Sequence, residues 1–171
     1  MTGEIPFVFY MDTPLGPICA AAVKDAGNYS LRGLWFSGQK YFPRDTETWI
    51  EKPDCPVFLS LRIWLDDYFA GKKPRKQIPL LPGGTDFQKA VWKLLLEIPY
   101  GKTTTYGIIS ARLISDGVKA SAQAVGGAVG HNPISLIIPC HRVLGADGSL
   151  TGYAGGIEKK RALLELEKAV L

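Results

Sequence analysis

Ser135-Leu136-Ile137-Ile138-Pro139-Cys140-His141-Arg142 is the stretch on which the reading of this chain turns. Its first half reads as a buried strand, an aliphatic run stopped by a proline. Its second half sets one of three cysteines beside one of two histidines. A thiol is a poor nucleophile until it loses its proton, and a neighbouring imidazole is the usual means of removing it. A strand end is also where a rigid scaffold presents a side chain to a cleft. Other readings fit the same letters. A cysteine behind Leu-Ile-Ile is also what a small buried hydrophobe looks like. A Cys-His pair can begin a metal site, but Cys19 and Cys55 are isolated, no CxxC occurs and His131 is the only further imidazole. That donor set predicts no metal.

Downstream, Gly148-Ser149-Leu150-Thr151-Gly152-Tyr153-Ala154-Gly155-Gly156 leads into a charged helix, expected from Ile157 to about Ala169. Leu163, Leu166 and Val170 fall on one stripe of that helix. Glu167 borders the stripe, whereas Glu165 points away, and a carboxylate at the edge of a core wants a partner.

Upstream, Thr85-Asp86-Phe87-Gln88 has the form of a capping box opening a helix. Phe87, Val91, Leu94, Leu95 and Ile98 form its buried stripe, and Pro99 and Gly101 end it. Thr103-Thr104-Thr105 offers N-caps for a short helix through Ile108, Ile109 and Leu113. Ser115-Asp116-Gly117 turns the chain into a second short helix from about Lys119 to Val129. Two short helices joined by a Gly-containing turn suggest a helix-turn-helix. The second is nearly bare: Ala120, Ala122, Ala124, Gly126, Gly127, Ala128 and Gly130. A glycine inside a helix costs about 1 kcal/mol against alanine, so these need a reason. Tight packing against a neighbouring helix is one; close approach of another molecule's backbone is the other.

The N-terminal part reads differently. Residues 5–37 alternate into three strands with turns at Pro14, Gly16, Gly27 and Asn28. Residues 57–69 read as a helix with Phe58, Leu61, Leu65 and Tyr68 inward and Gly71 as the stop. Lys72 to Gly84, rich in Pro, Gly and basic residues, has the composition of a linker. The expected organisation is an α/β (α+β) chain. An N-terminal α/β domain, 1–80, carries a small antiparallel sheet and one helix. A mainly helical domain, 81–171, carries the helix-turn-helix.

The segment Asn132-Pro133-Ile134, Pro139-Cys140-His141-Arg142-Val143 and Gly152-Tyr153-Ala154-Gly155-Gly156 resembles the O6-alkylguanine-DNA alkyltransferases, or methylated-DNA–protein-cysteine methyltransferases. The likeness is densest from Thr85 to Glu167 and continues more weakly to Thr13-Pro14-Leu15-Gly16. What it implies is DNA repair by direct reversal: a flipped O6-alkylguanine gives its alkyl group to Cys140, irreversibly and once per molecule. O4-alkylthymine is a further substrate that the resemblance allows. It assigns His141 as the base that takes the thiol proton through a water, Glu167 as the group that orients it, and Asn132 as the brace of the active-site turn. It assigns Tyr106 as a donor to guanine N3, and Val143, Tyr153 and Ala154 as walls of the base pocket. It makes the glycine-rich helix a recognition helix lying in the minor groove, with Gln123, Ala124, Gly126, Gly127 and also Arg142 toward DNA. Gln123 stands where the family often has an arginine that fills the gap left by the flipped base. The N-terminal zinc ligands of some relatives are missing.

The bulk composition agrees with such a protein. The 171 residues are 46% apolar and 21% charged, ordinary for a folded soluble chain. The net charge of +4 is mostly C-terminal, with ten basic and seven acidic groups in residues 85–171 against ten and nine in residues 1–84. That allows a polyanion partner without demanding one. The densest basic cluster, Lys72-Lys73-Pro74-Arg75-Lys76, reads first as solvated linker. No run is long enough to span a bilayer and the N-terminus lacks the pattern of a secretion signal. Three cysteines suit a reducing compartment. The expectation is a cytoplasmic monomer without cofactor, partnered by double-stranded DNA. A lesion sensor of the same fold would lack Cys140, a Cys-His-Glu hydrolase would want an oxyanion loop, and a methylation-sensing regulator would want a further domain.

Overall fold

Short-range turn chemistry starts the N-terminal sheet. Thr13 and Gly16 exchange backbone hydrogen bonds, and the Thr13 hydroxyl donates to the Gly16 carbonyl at 2.7 Å. This reverses the chain between β1 (Phe7–Met11) and β2 (Ile18–Asp25), which pair antiparallel with Phe9 opposite Ala20. β3 (Asn28–Phe36) follows antiparallel to β2, with an irregularity at Ala21/Ala22. The computed structural model describes residues 4–169. A two-residue strand β4 (Ile50–Glu51) adds a parallel edge beside β1, giving the order β3-β2-β1-β4. The sequence gives no hint of β4, because two residues carry no periodicity. Helix α1 (Pro56–Phe69), with proline in its first turn, buries Val57, Phe58, Leu61, Leu65 and Tyr68. Phe58 stacks on Phe9 at 5.6 Å between ring centroids, so α1 closes the core of this unit against the sheet.

Contacts divide the chain into two compact units, Met1–Gly83 and Gly84–Leu171. The second unit opens with the expected capping box. The Gln88 amide donates to the Thr85 hydroxyl at 3.2 Å and the Gln88 side chain accepts from the Thr85 amide at 3.0 Å. Helix α2 (Asp86–Leu96) packs on α3 (Tyr106–Ser115) and α4 (Ala122–Gly130), which also pack on each other. Thr105 and Ser121 cap α3 and α4 through their hydroxyls. The buried Trp92 indole donates to the Ala128 carbonyl at 2.8 Å, which ties α2 to α4.

Two short strands aim the site. β5 (Thr104–Thr105) runs directly into α3, and β6 (Val143–Leu144) leaves the 3-10 turn Cys140–Arg142. They pair parallel, Thr104 with Val143 and Thr105 with Leu144. The pairing therefore sets the start of α3 beside the cysteine turn. The last helix, α5 (Ile157–Leu166), stops earlier than expected. Lys168, at φ +54°, takes the left-handed position in which glycine usually ends a helix, and the amides of Lys168 and Ala169 return to Glu165 and Leu164. A lysine there gives no stop signal. The buried stripe of α5 is Lys160, Leu163 and Leu164, with Glu167 just beyond, and Leu166 is half-buried. The expected member Val170 lies outside the described residues. Among those residues no helix is long and apolar enough to cross a membrane.

Candidate active site

Ser135-Leu136-Ile137-Ile138 is not a strand. Asn132 claims the backbone on both sides of it: its side-chain amide donates to the Ile138 carbonyl at 2.7 Å and the Ile134 carbonyl at 3.3 Å, and its oxygen accepts from the Ile134 amide at 3.0 Å. The Ile137 and Ile138 amides bond back to Ser135 and Ile134. Leu136 sits at φ +69°, where a branched side chain is rarely found, and is buried. Apolar residues here fill a tight turn, whose backbone groups are satisfied by the turn itself and by Asn132. Cys140 then begins a 3-10 turn, its amide bonded to the Ile138 carbonyl at 2.8 Å.

Cys140, His141 and Arg142 are all buried. His141 Nε2 lies 2.7 Å from Glu167 Oε1. With the carboxylate accepting a hydrogen bond from Nε2–H, the neutral ring has Nδ1 as its basic nitrogen, and Nδ1 is buried. Glu167, 3% exposed, also accepts from Arg142 Nε at 2.9 Å and Nη2 at 2.8 Å, and from the Gly101 amide at 3.3 Å. Gly101 has φ +76°, and a Cβ there would come within 3.0 Å of the Glu167 carbonyl oxygen, so this close approach requires glycine.

Arg142 corrects the sequence expectation. The sequence places it toward DNA, but its guanidinium points inward: a fork onto Glu167, a third bond to the Ile98 carbonyl at 2.8 Å, and a cation–π contact with Tyr100. Only 8% of the residue is exposed, so it braces the carboxylate.

The charges follow from these contacts. Burial pushes the Glu167 carboxyl up, but hydrogen bonds from His141 and Arg142 and their charges outweigh it and hold it at about 2. Burial lowers the His141 pKa, with the Glu167 hydrogen bond pulling against it. Arg142 gives Glu167 a permanent positive partner, and the lowered His141 pKa favours the neutral ring that can accept a proton. Burial raises the Cys140 pKa, opposed by the Asn132 side chain, the Lys160 charge and backbone amides.

Tyr106 opens α3 and donates to the Thr151 carbonyl at 3.1 Å. Its pKa is raised by burial, with Cys140 adding to the rise. Tyr153 is raised well above its ordinary value, by burial first and then by the charges of Cys140 and Glu167. Its hydroxyl is buried without a hydrogen-bond partner among the described residues. Val143 is buried and Ala154 half-buried. Tyr106 and Tyr153 both feel the charge of Cys140, and Val143 directly follows the Cys140–Arg142 turn. No group of three or more His, Cys, Asp or Glu that could hold a metal occurs among the described residues.

Gln123, Ala124 and Gly127 are exposed on α4 and Gly126 is half-buried. A Cβ at Gly127 or Gly130 would meet nothing within 4 Å, and one at Gly126 would make ordinary contact with the Tyr106 ring at 3.8 Å. Packing inside this chain does not explain these glycines.

Lys160 was missed by the sequence reading. It is 0% exposed and its ammonium donates to the carbonyls of Val143 at 2.6 Å, Thr151 at 2.9 Å and Gly152 at 3.2 Å. The signal was available: Lys160, Leu163, Leu164 and Glu167 follow the i, i+3, i+4, i+7 spacing of one helix face.

A family model described as "6-O-methylguanine DNA methyltransferase, DNA binding domain" matches residues 86–169. The chain is 47% identical over 159 residues to the methylated-DNA–protein-cysteine methyltransferase of Mycobacterium tuberculosis strain H37Rv, covering 93% of this chain and 90% of that protein. It is 44% identical to the protein of that name from Methanosarcina barkeri, covering 92% and 94%. The crystal structure of Mycobacterium tuberculosis OGT in complex with DNA is similar at TM-score 0.81 and 44% identity, covering 95% of this chain and 92% of that one.

Proposed function

Because this chain belongs to the methylated-DNA–protein-cysteine methyltransferase family, we propose that it repairs O6-alkylguanine in duplex DNA by moving the alkyl group to Cys140. The observation that carries the reading is the buried relay on the Pro-Cys-His-Arg turn, His141 bonded at 2.7 Å to a Glu167 that Arg142 holds ionised. Such a relay is built to take one proton from the group next to it.

The carbon to be moved is sp3, so the reaction is an in-line displacement. His141 accepts the thiol proton, and the imidazolium is stabilised by Glu167. The thiolate forms a bond to the alkyl carbon while the bond from carbon to O6 breaks, and the electron pair leaves with guanine. Tyr106, in the first turn of α3, serves the departing base as a hydrogen-bond donor once its hydroxyl turns from the Thr151 carbonyl. The product is a neutral thioether, which no group around the turn can hydrolyse, so each molecule acts once.

A base inside a duplex must first be flipped out, at a cost of a few kcal/mol. The bare, exposed face of α4 lets the helix come close to a DNA backbone, and Gln123 fills the gap in the stack. The M. tuberculosis structure with DNA supports nucleic acid as the partner. The protein acts as a monomer in the cytosol, where its thiol stays reduced, and needs no cofactor. The test is stoichiometry. With methylated duplex in excess, methyl groups lost should equal protein added and the reaction should then stop. Continued turnover would overturn the reading.

A further inference from the structure

One buried charge has no role in the relay of Cys140, His141 and Glu167. The Lys160 ammonium is held by three carbonyl oxygens, all of them neutral. Among the described residues no carboxylate pairs with it; Glu167, two turns on, holds His141 and Arg142. A buried ammonium with only carbonyl partners carries a large desolvation cost, which a nearby anion would offset. Cys140 lies three residues before Val143, in the turn whose exit strand Lys160 grips. Each of these two charges favours the ionised form of the other group. The remaining groups do not supply the balance. His141 feels Lys160 as a like charge, Tyr106 and Tyr153 stay neutral beside Cys140, and Arg142 matches Glu167.

We propose that Lys160 is a positioning residue of the transfer, fixing the Cys140 turn against the Thr151–Gly152 segment and providing the counter-charge for the Cys140 thiolate. This rests on Cys140 being the acceptor. In the ionised fraction that reacts, the sulfur is an anion that the buried Lys160 cation favours. The bond from sulfur to carbon then forms, the pair from the carbon–O6 bond departs with guanine, and the neutral thioether leaves Lys160 without its anion. Burial holds most of the thiol protonated, so a cation that raises the ionised fraction raises the rate. A tenfold gain in thiolate is offset about threefold by lower nucleophilicity, at a Brønsted slope of about 0.4–0.5, leaving a gain of roughly threefold.

The test uses iodoacetamide rather than DNA. The pH profile of Cys140 modification is read by peptide mass in the wild type, Lys160→Gln and Lys160→Met. Glutamine keeps donors for the carbonyls without the charge; methionine removes both. Both variants should move the Cys140 midpoint up by about one pH unit, a tenfold loss of thiolate that leaves modification at neutral pH roughly threefold slower. Folded variants with the wild-type midpoint would overturn the proposal. If neither folds, nitrogen NMR of the Lys160 ammonium decides. Its midpoint should fall by a similar amount when Cys140 is alkylated or changed to serine, and an unmoved midpoint would refute the coupling. The readout needs no methyl transfer. A wild type that fails to repair DNA yet shows the coupling would refute the repair reading alone.

Discussion

Replacing Glu167 by glutamine removes one charge from a buried cluster and keeps its shape. A carboxyl held at about 2 in place of its ordinary 4.5 contributes about 3 kcal/mol at neutral pH, at about 1.4 kcal/mol per tenfold change in proton affinity. An independent route gives the same size. Breaking a buried ion pair by removing one charge costs about 3–5 kcal/mol, because here the Arg142 guanidinium is left charged beside a neutral amide, the Ile98 carbonyl and the Tyr100 ring. Thermal unfolding followed by circular dichroism should show Glu167→Gln melting on the order of 10 °C below wild type. Exposed Glu165→Gln should stay within about 0.5 kcal/mol. The folded carboxyl is depressed, so its contribution is complete above about 4.5 and is lost as pH falls toward about 2. Wild type should lose that stability across this window, and Glu167→Gln should lack that part of the acid dependence. Below its melting point the variant should transfer methyl about a hundredfold or more slowly, since the His141 imidazolium loses the negative charge that stabilises it. Equal effects of Glu165→Gln and Glu167→Gln, or an unchanged acid limb, would refute the assignment of Glu167.

Gln123→Ala should slow repair of matched duplex and leave single-stranded DNA nearly unaffected, as measured by second-order transfer rates; parallel changes would deny it a gap-filling role. Gly127→Ala should stabilise the free protein by up to about 1 kcal/mol, because the added methyl meets nothing, yet weaken duplex binding in a titration. Cys140→Ala should abolish transfer and keep DNA affinity, with a log–log salt slope of roughly −3 to −4 for about three to five phosphate contacts. A slope near zero would mean that α4 does not meet a polyanion.

Much of this architecture can be read from local chemistry. The capping box at Thr85 and Gln88, the N-cap at Thr105 and the α1 stripe each depend on residues a few positions apart, and each forms in the structure. What was not legible depends on distant partners. Ser135–Ile138 has the composition of a strand, but Asn132 binds its backbone into a turn. Arg142, two residues after Cys140, reads as a charge for DNA until Glu167, 25 residues on, takes its fork. The early end of α5 rests on a left-handed lysine, which no sequence rule anticipates. Lys160 is the reverse case. Its place on the stripe is visible in the sequence, but a lysine on a buried face is easily passed over, because that side chain is almost never fully buried.

Under the proposed function one sulfur of three accepts the alkyl group. Cys19, Cys55 and Cys140 are all buried free thiols, and burial raises the pKa of each, so burial does not distinguish them. Only Cys140 stands beside a histidine. Peptide mass spectrometry after incubation with duplex DNA carrying O6-methylguanine is the direct measurement. The expected result is the mass of one added methylene on the peptide bearing Cys140 and none on those bearing Cys19 or Cys55. A methylene elsewhere, or none on Cys140 while the DNA loses its methyl group, would contradict it.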